Sequence, residues 1–330
     1  MDNEQLKTLD ETAIGSVIHV SPSPHLSNVS TTTKGMMADV LIALIPVVLA
    51  SLYVFRMYAV KQILIAVASC LAAEYVFNTM RKRPPTLNDL SVTVTGVILA
   101  LSLPGTAPWY VGFIASFVAV GIGKSIFGGL GMNIFNPAMV GRAFVMISFA
   151  GALAASGYED AKSAIDILSQ ATPLNAFKQS GVTTPLLNLF LGNTNGSLGE
   201  TSALACIIGG VYLCIKRTAS WEIPVGVILS VFVLAGIGNL TDMGSSFTVF
   251  HHIFSGALLF GAFFIATDPV TSPLSPKGKF IFGIGVGAIV MLLRAFSGYP
   301  EGLMFAILLM NGVTPLINRW TIPRPLGAKK

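Results

Sequence analysis

The chain predicts an all-α polytopic membrane protein, and three observations carry the prediction: composition, the length of its apolar runs, and the placement of arginine and lysine. Of 330 residues, 53% are hydrophobic and 11% charged, and the mean hydropathy is +0.74. Soluble domains carry about 25% charged residues, so a water-soluble enzyme is excluded. A net charge of +5 raises the question of nucleic acid. The basic residues are scattered over short loops, which fits membrane orientation and a lipid environment, with no nucleic-acid partner.

A membrane helix needs about 20 mostly apolar residues. About ten such transmembrane helices are expected, near 36–55, 60–80, 90–104, 109–127, 136–155, 201–217, 221–239, 250–267, 279–296 and 301–318. The third is short because Pro104-Gly105 stops it, and the eighth ends against Thr267-Asp268-Pro269. Arg81-Lys82-Arg83, Lys216-Arg217, Lys277 with Lys279, and Arg319, Arg324, Lys329 and Lys330 all fall on one side of such a chain. The other side receives Arg56, Lys61, Lys162, Lys178 and Arg294. The positive-inside rule then makes both termini cytoplasmic. Residues 1–35 form a cytoplasmic N-terminal segment without an apolar h-region, so no cleaved signal peptide is indicated. Residues 36–156 hold helices one to five, 157–200 an extracytoplasmic loop, 201–318 helices six to ten, and 319–330 a cytoplasmic tail.

The two halves resemble each other. Thr95-Gly96 through Pro104 can be laid on Ser255-Gly256 through Pro269, and Gly121-Ile-Gly123 answers Gly283-Ile-Gly285. Five segments per half is an odd number, so the expectation is two inverted five-helix repeats. Such repeats place binding sites at their interface, near the midplane.

Ionisable residues are costly inside a membrane and mark function unless they sit at an interface. Asp39, Glu74, Lys124, Arg142, Asp268, Arg294 and Glu301 qualify, and Asp39 and Glu74 are candidates for an ion pathway. The alternative is that Lys124 and Arg294 reach an interface and Asp39 and Arg142 sit near segment ends. The stretch Gly128-Gly129-Leu-Gly131-Met-Asn133-Ile-Phe135-Asn136-Pro137 combines glycines, which permit positive φ, with two amide side chains. It suits either a polar flat ring or anion at a helix start, or a tight connection between helices. Cys70, Cys206 and Cys214 lie in apolar segments without CxxC spacing, so they read as buried thiols rather than metal ligands. No metal site is expected.

The stretch from Gly157 to Glu200 is the one long polar interval, and it contains Asp166-Ile-Leu-Ser169-Gln-Ala171-Thr172-Pro173. The pattern Asp-x-x-Ser/Thr-x-Ala-Thr resembles the sequence at which bacterial flavin transferases attach FMN, through its phosphate, to a threonine hydroxyl. Pro173 keeps Thr172 out of regular helix. Nearly the whole chain resembles the RnfD family, membrane proteins of Rnf ferredoxin:NAD oxidoreductase complexes, and more distantly NqrB of sodium-pumping NADH:quinone reductases. The resemblance runs from Ser23-Pro24-His25 and Met37-Ala-Asp39, through Gly131-Met-Asn133-Ile-Phe-Asn136-Pro137, to Ala171-Thr172 and Ala266-Thr267-Asp268-Pro269. NqrB-type chains carry a longer N-terminal region.

The resemblance implies covalent FMN at Thr172, with Asp166, Ser169 and Ala171 forming the attachment motif. Gln170 stands where many members have glycine. It also implies a second, non-covalent flavin, riboflavin, within the membrane part, for which Asn133, Asn136, Thr267 and Asp268 are the candidates. Implied partners are RnfA, RnfB, RnfC, RnfE and RnfG, with a flavin transferase during maturation. The implied task is electron transfer between ferredoxin and NAD in a bacterial inner membrane, coupled to export of Na+ or H+. The rival readings are a channel or solute transporter on the same kind of repeat, an NqrB-like quinone reductase subunit, and a purely structural anchor. Colour separates a flavin carrier from a channel or an anchor.

Overall fold

A computed structural model of the chain describes residues 32–83, 86–155, 172–192, 194–241, 247–297 and 301–323. Helix α1 (Thr33–Phe55) begins where the Thr32 hydroxyl accepts the Gly35 N–H at 3.1 Å, an N-cap for one of the helix's unpaired amides. It ends at Arg56, whose φ of 49° breaks the helical run, and α2 (Met57–Met80) returns. Asp89 accepts both the amide and the hydroxyl of Ser91 and so starts α3 (Ser91–Ser102). Helix α4 (Trp109–Val120) continues through a π turn over Gly121–Ser125. Asn136 caps α5 (Pro137–Ser148), with proline at the first helical position, where no N–H is missed. The short α6 (Ala150–Ala155) follows.

After the undescribed part of the polar interval come α7 (Pro173–Ser180) and α8 (Leu186–Leu191). The end of the interval is not a solvent loop. Ser197–Gly199 run against the end of α3, where Leu198 N donates to Leu103 O (3.2 Å) and Gly199 N to Leu101 O (2.7 Å). These bonds satisfy carbonyls that the end of α3 leaves open. Helix α9 (Ala203–Ile215) and α10 (Glu222–Thr241) follow. Then α11 (Val249–Phe254) breaks at Ser255–Ala257, where Gly256 has φ 70°, and resumes as α12 (Leu258–Phe260) with a second π turn over Gly261–Ile265. The chain finishes with α13 (Pro276–Phe296) and α14 (Leu303–Thr321).

Among the described residues, five helices are long and apolar enough to cross a membrane: α1, α2, α10, α13 and α14. They correspond to the expected segments 36–55, 60–80, 221–239, 279–296 and 301–318. The other five expected segments are shorter or interrupted. At 1.5 Å per residue the 12 residues of α3 reach about 18 Å, short of a ~30 Å hydrocarbon core. Segment 136–155 divides at Phe149, and segment 250–267 divides at Gly256.

Helices approach closely where a side chain is missing. A Cβ on Gly209 of α9 would lie 2.1 Å from the Ala43 carbonyl oxygen on α1, and one on Gly141 of α5 would lie 2.4 Å from that of Ala115 on α4. Small residues at helix contacts are how membrane helices gain packing without a hydrophobic drive. The interior is apolar, with Leu44, Leu99, Val111, Phe260 and Phe282 buried, yet Tyr53, Leu64, Phe232 and Leu240 stand exposed on the outside. An apolar inside beneath an apolar outside is the pattern of a protein solvated by lipid. Cys70 and Cys206 are buried free thiols, as their apolar surroundings suggested, whereas Cys214 is only half-buried.

Arginine and lysine gather at one end of the bundle. There Arg81 donates to the Ser125 carbonyl, Arg83 to that of Gly128, and Lys279 to the Ser220 hydroxyl. This basic end holds the start of α1, α3, α5 and α13 and the end of α2, α4 and α9.

Candidate functional site

A cavity opens within the basic end between α1, α3, α5, α9 and the turn after α12. It spans about 800 Å³, its mouth included. Met37, Val40, Ile98, Leu213 and Phe264 give it apolar walls. Its polar lining is Ser91, Thr95, Lys124, Asn133, Asn136, Thr218, Thr267 and Asp268. The four residues expected to serve a non-covalent flavin, from two stretches more than a hundred positions apart, therefore face one space.

Each has a distinct local role. Asn136 is engaged by the fold: its Oδ1 caps Met139 N at 3.3 Å, its Nδ2 donates to Ile265 O at 3.4 Å, and its amide donates to Asn311 Oδ1 at 3.2 Å. Asn133 donates to Phe135 O at 3.3 Å, within its own turn. The Thr267 hydroxyl donates to Phe263 O at 2.6 Å, taking up a carbonyl of the π turn. Asp268 accepts from Val270 N (3.3 Å) and the Thr271 hydroxyl (3.1 Å), which folds the chain back after α12. Asn311, in the middle of α14, donates to Thr271 O at 3.2 Å while accepting from Asn136, so one amide joins both halves of the cavity. Sequence reasoning passed over Asn311. Its signal was present: a lone buried asparagine in an apolar helix needs partners.

Lys124 does not reach an interface. It is 4% exposed, and its Nζ lies 3.0 Å from Glu74 Oε1 and 2.8 Å from Ser91 Oγ. The Thr86 hydroxyl also donates to Glu74, whose Oε2 has no hydrogen-bond partner. Burying two charges costs several kcal/mol per ion unless each is paired, and the lysine of this pair lines the cavity. Asp39 accepts from Tyr212 (3.3 Å) and Thr218 (3.2 Å), tying α1 to α9 beside the cavity.

Thr172 lies at the opposite end. The Lys178 ammonium, on the same helix, donates to Ser297 O just beyond the far end of α13, a helix about 31 Å long. Thr172 is the N-cap of α7: its hydroxyl oxygen accepts Asn175 N at 3.4 Å, and its carbonyl accepts Ala176 N at 2.9 Å. Pro173 and Leu174 bury themselves, while Thr172 is half-buried. The Phe177 ring stacks on Phe247 at 4.2 Å, which fixes α7 against the start of α11. Asp166, Ser169 and Ala171 lie outside the described residues.

Beneath α7 is a second set of buried charges. Arg142 Nη2 is 3.6 Å from both Glu200 Oε1 and Glu301 Oε2. Arg294 is buried and donates to His252 O (2.5 Å) and Ser255 O (3.0 Å), the carbonyls freed by the break after α11. Arg294 does not reach an interface, Arg142 sits in the middle of α5 rather than near a segment end, and Glu200, read from sequence as loop, is 9% exposed. No group of three or more His, Cys, Asp and Glu able to hold a metal occurs among the described residues.

Interrupted helices, ion pairs inside an apolar bundle, and long apolar helices define a multi-pass membrane protein. The chain belongs to the NQR2, RnfD, RnfE family, whose model matches residues 19–327. It is 42% identical over 315 residues to the D subunit of the Na(+)-translocating ferredoxin:NAD(+) oxidoreductase complex of Acetobacterium woodii, covering 94% of this chain and 96% of that one. It is 38% identical to the D subunit of the proton-translocating ferredoxin:NAD(+) oxidoreductase complex of Clostridium ljungdahlii, covering 95% and 97%. It is 37% identical to the D subunit of the ion-translocating oxidoreductase complex of Actinobacillus succinogenes, covering 93% and 97%.

Proposed function

We propose that this chain is the flavin-carrying membrane subunit of an Rnf complex, passing electrons between ferredoxin and NAD across a bacterial inner membrane and coupled to Na+ or H+ translocation. The observation that carries the reading is the arrangement of two sites on one bundle. A threonine in a transferase-like motif caps a helix at one end, and the cavity uniting Asn133, Asn136, Thr267 and Asp268 opens at the other. The relatives named above supply the complex and the ferredoxin:NAD reaction. Two of them are named for different ions, so similarity leaves the ion open.

The residues suit the groups. A covalent FMN joined through its phosphate needs a hydroxyl oxygen that is reachable and not committed as a donor. Among the described residues Thr172 Oγ1 only accepts, at a long 3.4 Å. A phosphoester there would sit at the start of α7, where free amides and the helix dipole favour negative charge. A riboflavin ring needs apolar walls and edge hydrogen bonds. Val40, Ile98 and Phe264 offer the first, and Asn133, Thr267 and Asp268 the second. Flavin supplies the electron chemistry, while the protein supplies position, hydrogen bonds and dielectric. Lys124, held by Glu74, puts a positive charge on the cavity wall, favouring electron-rich ligands.

In this reading the basic end is cytoplasmic, with both termini there, and Thr172 faces outward. The two halves are inverted repeats. Helix α4 lies between α2 and α5 as α13 lies between α10 and α14, while α1 against α9 and α5 against α14 mark the interface. The remaining Rnf subunits, RnfA, RnfB, RnfC, RnfE and RnfG, are the partners, and a flavin transferase loads Thr172.

Acid precipitation of the chain purified after co-expression with a flavin transferase tests the reading. One flavin should stay with the pellet and a second, lacking phosphate, should enter the supernatant. A colourless protein would refute the proposal. Flavin in the pellet alone would remove the cavity from it.

A further inference from the structure

Glu200 and Glu301 come from distant parts of the chain and meet inside the end that carries Thr172. Arg142 bridges their carboxyls, and among the described residues each keeps a buried Oε1 with no hydrogen-bond partner, while Glu200 Oε2 accepts from Ser197 N at 3.3 Å. Two buried carboxylates that share one guanidinium repel each other, and one proton held between them relieves the repulsion. The surrounding charges point the same way. Arg142 is shared between the two acids at 3.6 Å each, too long for either hydrogen bond. Arg294 directs two N–H groups at the carbonyls of His252 and Ser255, and its Nε is unpartnered. His252, from α11, faces Arg294 and offers no acid. Among the described residues Arg142 is thus the one cation in ion-pair contact with the two buried acids, and Arg294 acts on both from farther off. The side chain of Glu200 is 4% exposed, and the unpartnered Ser255 hydroxyl is fully buried.

We propose that Glu200 and Glu301 form a proton-binding pair that holds one exchangeable proton beneath the Thr172 helix. The pair lies close to that helix. A Cβ on Gly256 would meet Leu174 Cδ1 at 2.9 Å and Glu301 Oε1 at 3.1 Å, so the side chain two residues after Thr172 and the acid both border the same glycine. Negative charge added at Thr172 favours the protonated pair, as any nearby like charge does. This last coupling rests on the flavin reading; the pair itself does not.

Infrared spectroscopy of the purified, unmodified chain tests the pair. A protonated-carboxyl C=O stretch that shifts in D2O should persist at about pH 8, where an exposed glutamate is ionised. It should lose intensity in both Glu200→Gln and Glu301→Gln, because the carboxyl left behind ionises against Arg142. Should a glutamine variant fail to fold, Glu200→Asp and Glu301→Asp retain the acid but shorten its reach, and each should displace the band. Intensity unchanged in the glutamine variants, or a band unmoved by the aspartates, would overturn the proposal. So would loss of the band on adding Na+ at constant pH, which would make the site one for a metal cation. In a second arm, loading Thr172 with FMN should move the band's disappearance to higher pH; no movement, with the first arm intact, would remove only the coupling.

Discussion

Thr172 caps α7 and, in the proposed function, also carries FMN; substitution tests the cap on its own. As the N-cap of α7 it stabilises the helix start, so Thr172→Ala should cost about 1 kcal/mol in thermal unfolding, where a plain loop position would cost almost nothing. Thr172→Ser keeps a hydroxyl and should keep the cap. A serine variant as unstable as alanine would contradict the capping role. The buried Glu74–Lys124 pair makes a second residue-scale prediction. Lys124→Met strands a carboxylate and should cost roughly 3–5 kcal/mol, while Lys124→Met with Glu74→Gln should recover most of it, because two neutral groups can be buried together. A double variant no better than the single would show that the pair is not the source of the loss. The sequence exposed these ionisable residues by their apolar surroundings but not who pairs with whom. Glu74 and Lys124 are fifty positions apart, and no periodicity links them.

Helices α5 and α9 owe their close packing to single glycines, and substitution tests that directly. Gly209→Ala drives a methyl into the Ala43 carbonyl and should cost roughly 1–3 kcal/mol. Gly236→Ala on α10 meets nothing within 4 Å and should be neutral or up to about 1 kcal/mol stabilising, through helix propensity alone. Equal effects at both would mean that the close approach is not what Gly209 provides. Element positions were legible wherever the chain carries a stop or a cap: Pro104-Gly105 ended α3 and Asn136-Pro137 began α5. The break at Ser255–Ala257 was not, since a lone glycine in an apolar run reads equally as packing or as a kink. Only the arginine that arrives from α13 to take up the freed carbonyls makes the break tolerable in an apolar bundle. The burial of Ser197–Glu200 was hidden for a similar reason: polar residues look like loop until the end of α3 is there to pair with them.

Across the whole molecule, the arginine and lysine bias gives an orientation that labelling can check. In a cysteine-free background, a membrane-impermeant thiol reagent applied outside the cell should modify Gln179→Cys and leave Lys216→Cys untouched, both positions being exposed on the protein surface. The reverse pattern would invert the bundle and put Thr172 in the cytoplasm. The apolar composition and the segment list made the class of protein legible, and the family resemblance supplied the two proposed flavin sites. The convergence of Asn133, Asn136, Thr267 and Asp268 on one cavity needed three dimensions, because Asn311 on a third segment brings their two stretches together. The central claim is the covalent one, and intact mass tests it most directly. The wild-type chain and Thr172→Ala would each be co-expressed with a flavin transferase, purified and weighed. Wild type should be heavier than its sequence by one FMN phosphoester, and the alanine variant should match its sequence. An unmodified wild type, or an alanine variant that still carries the increment, would contradict the account.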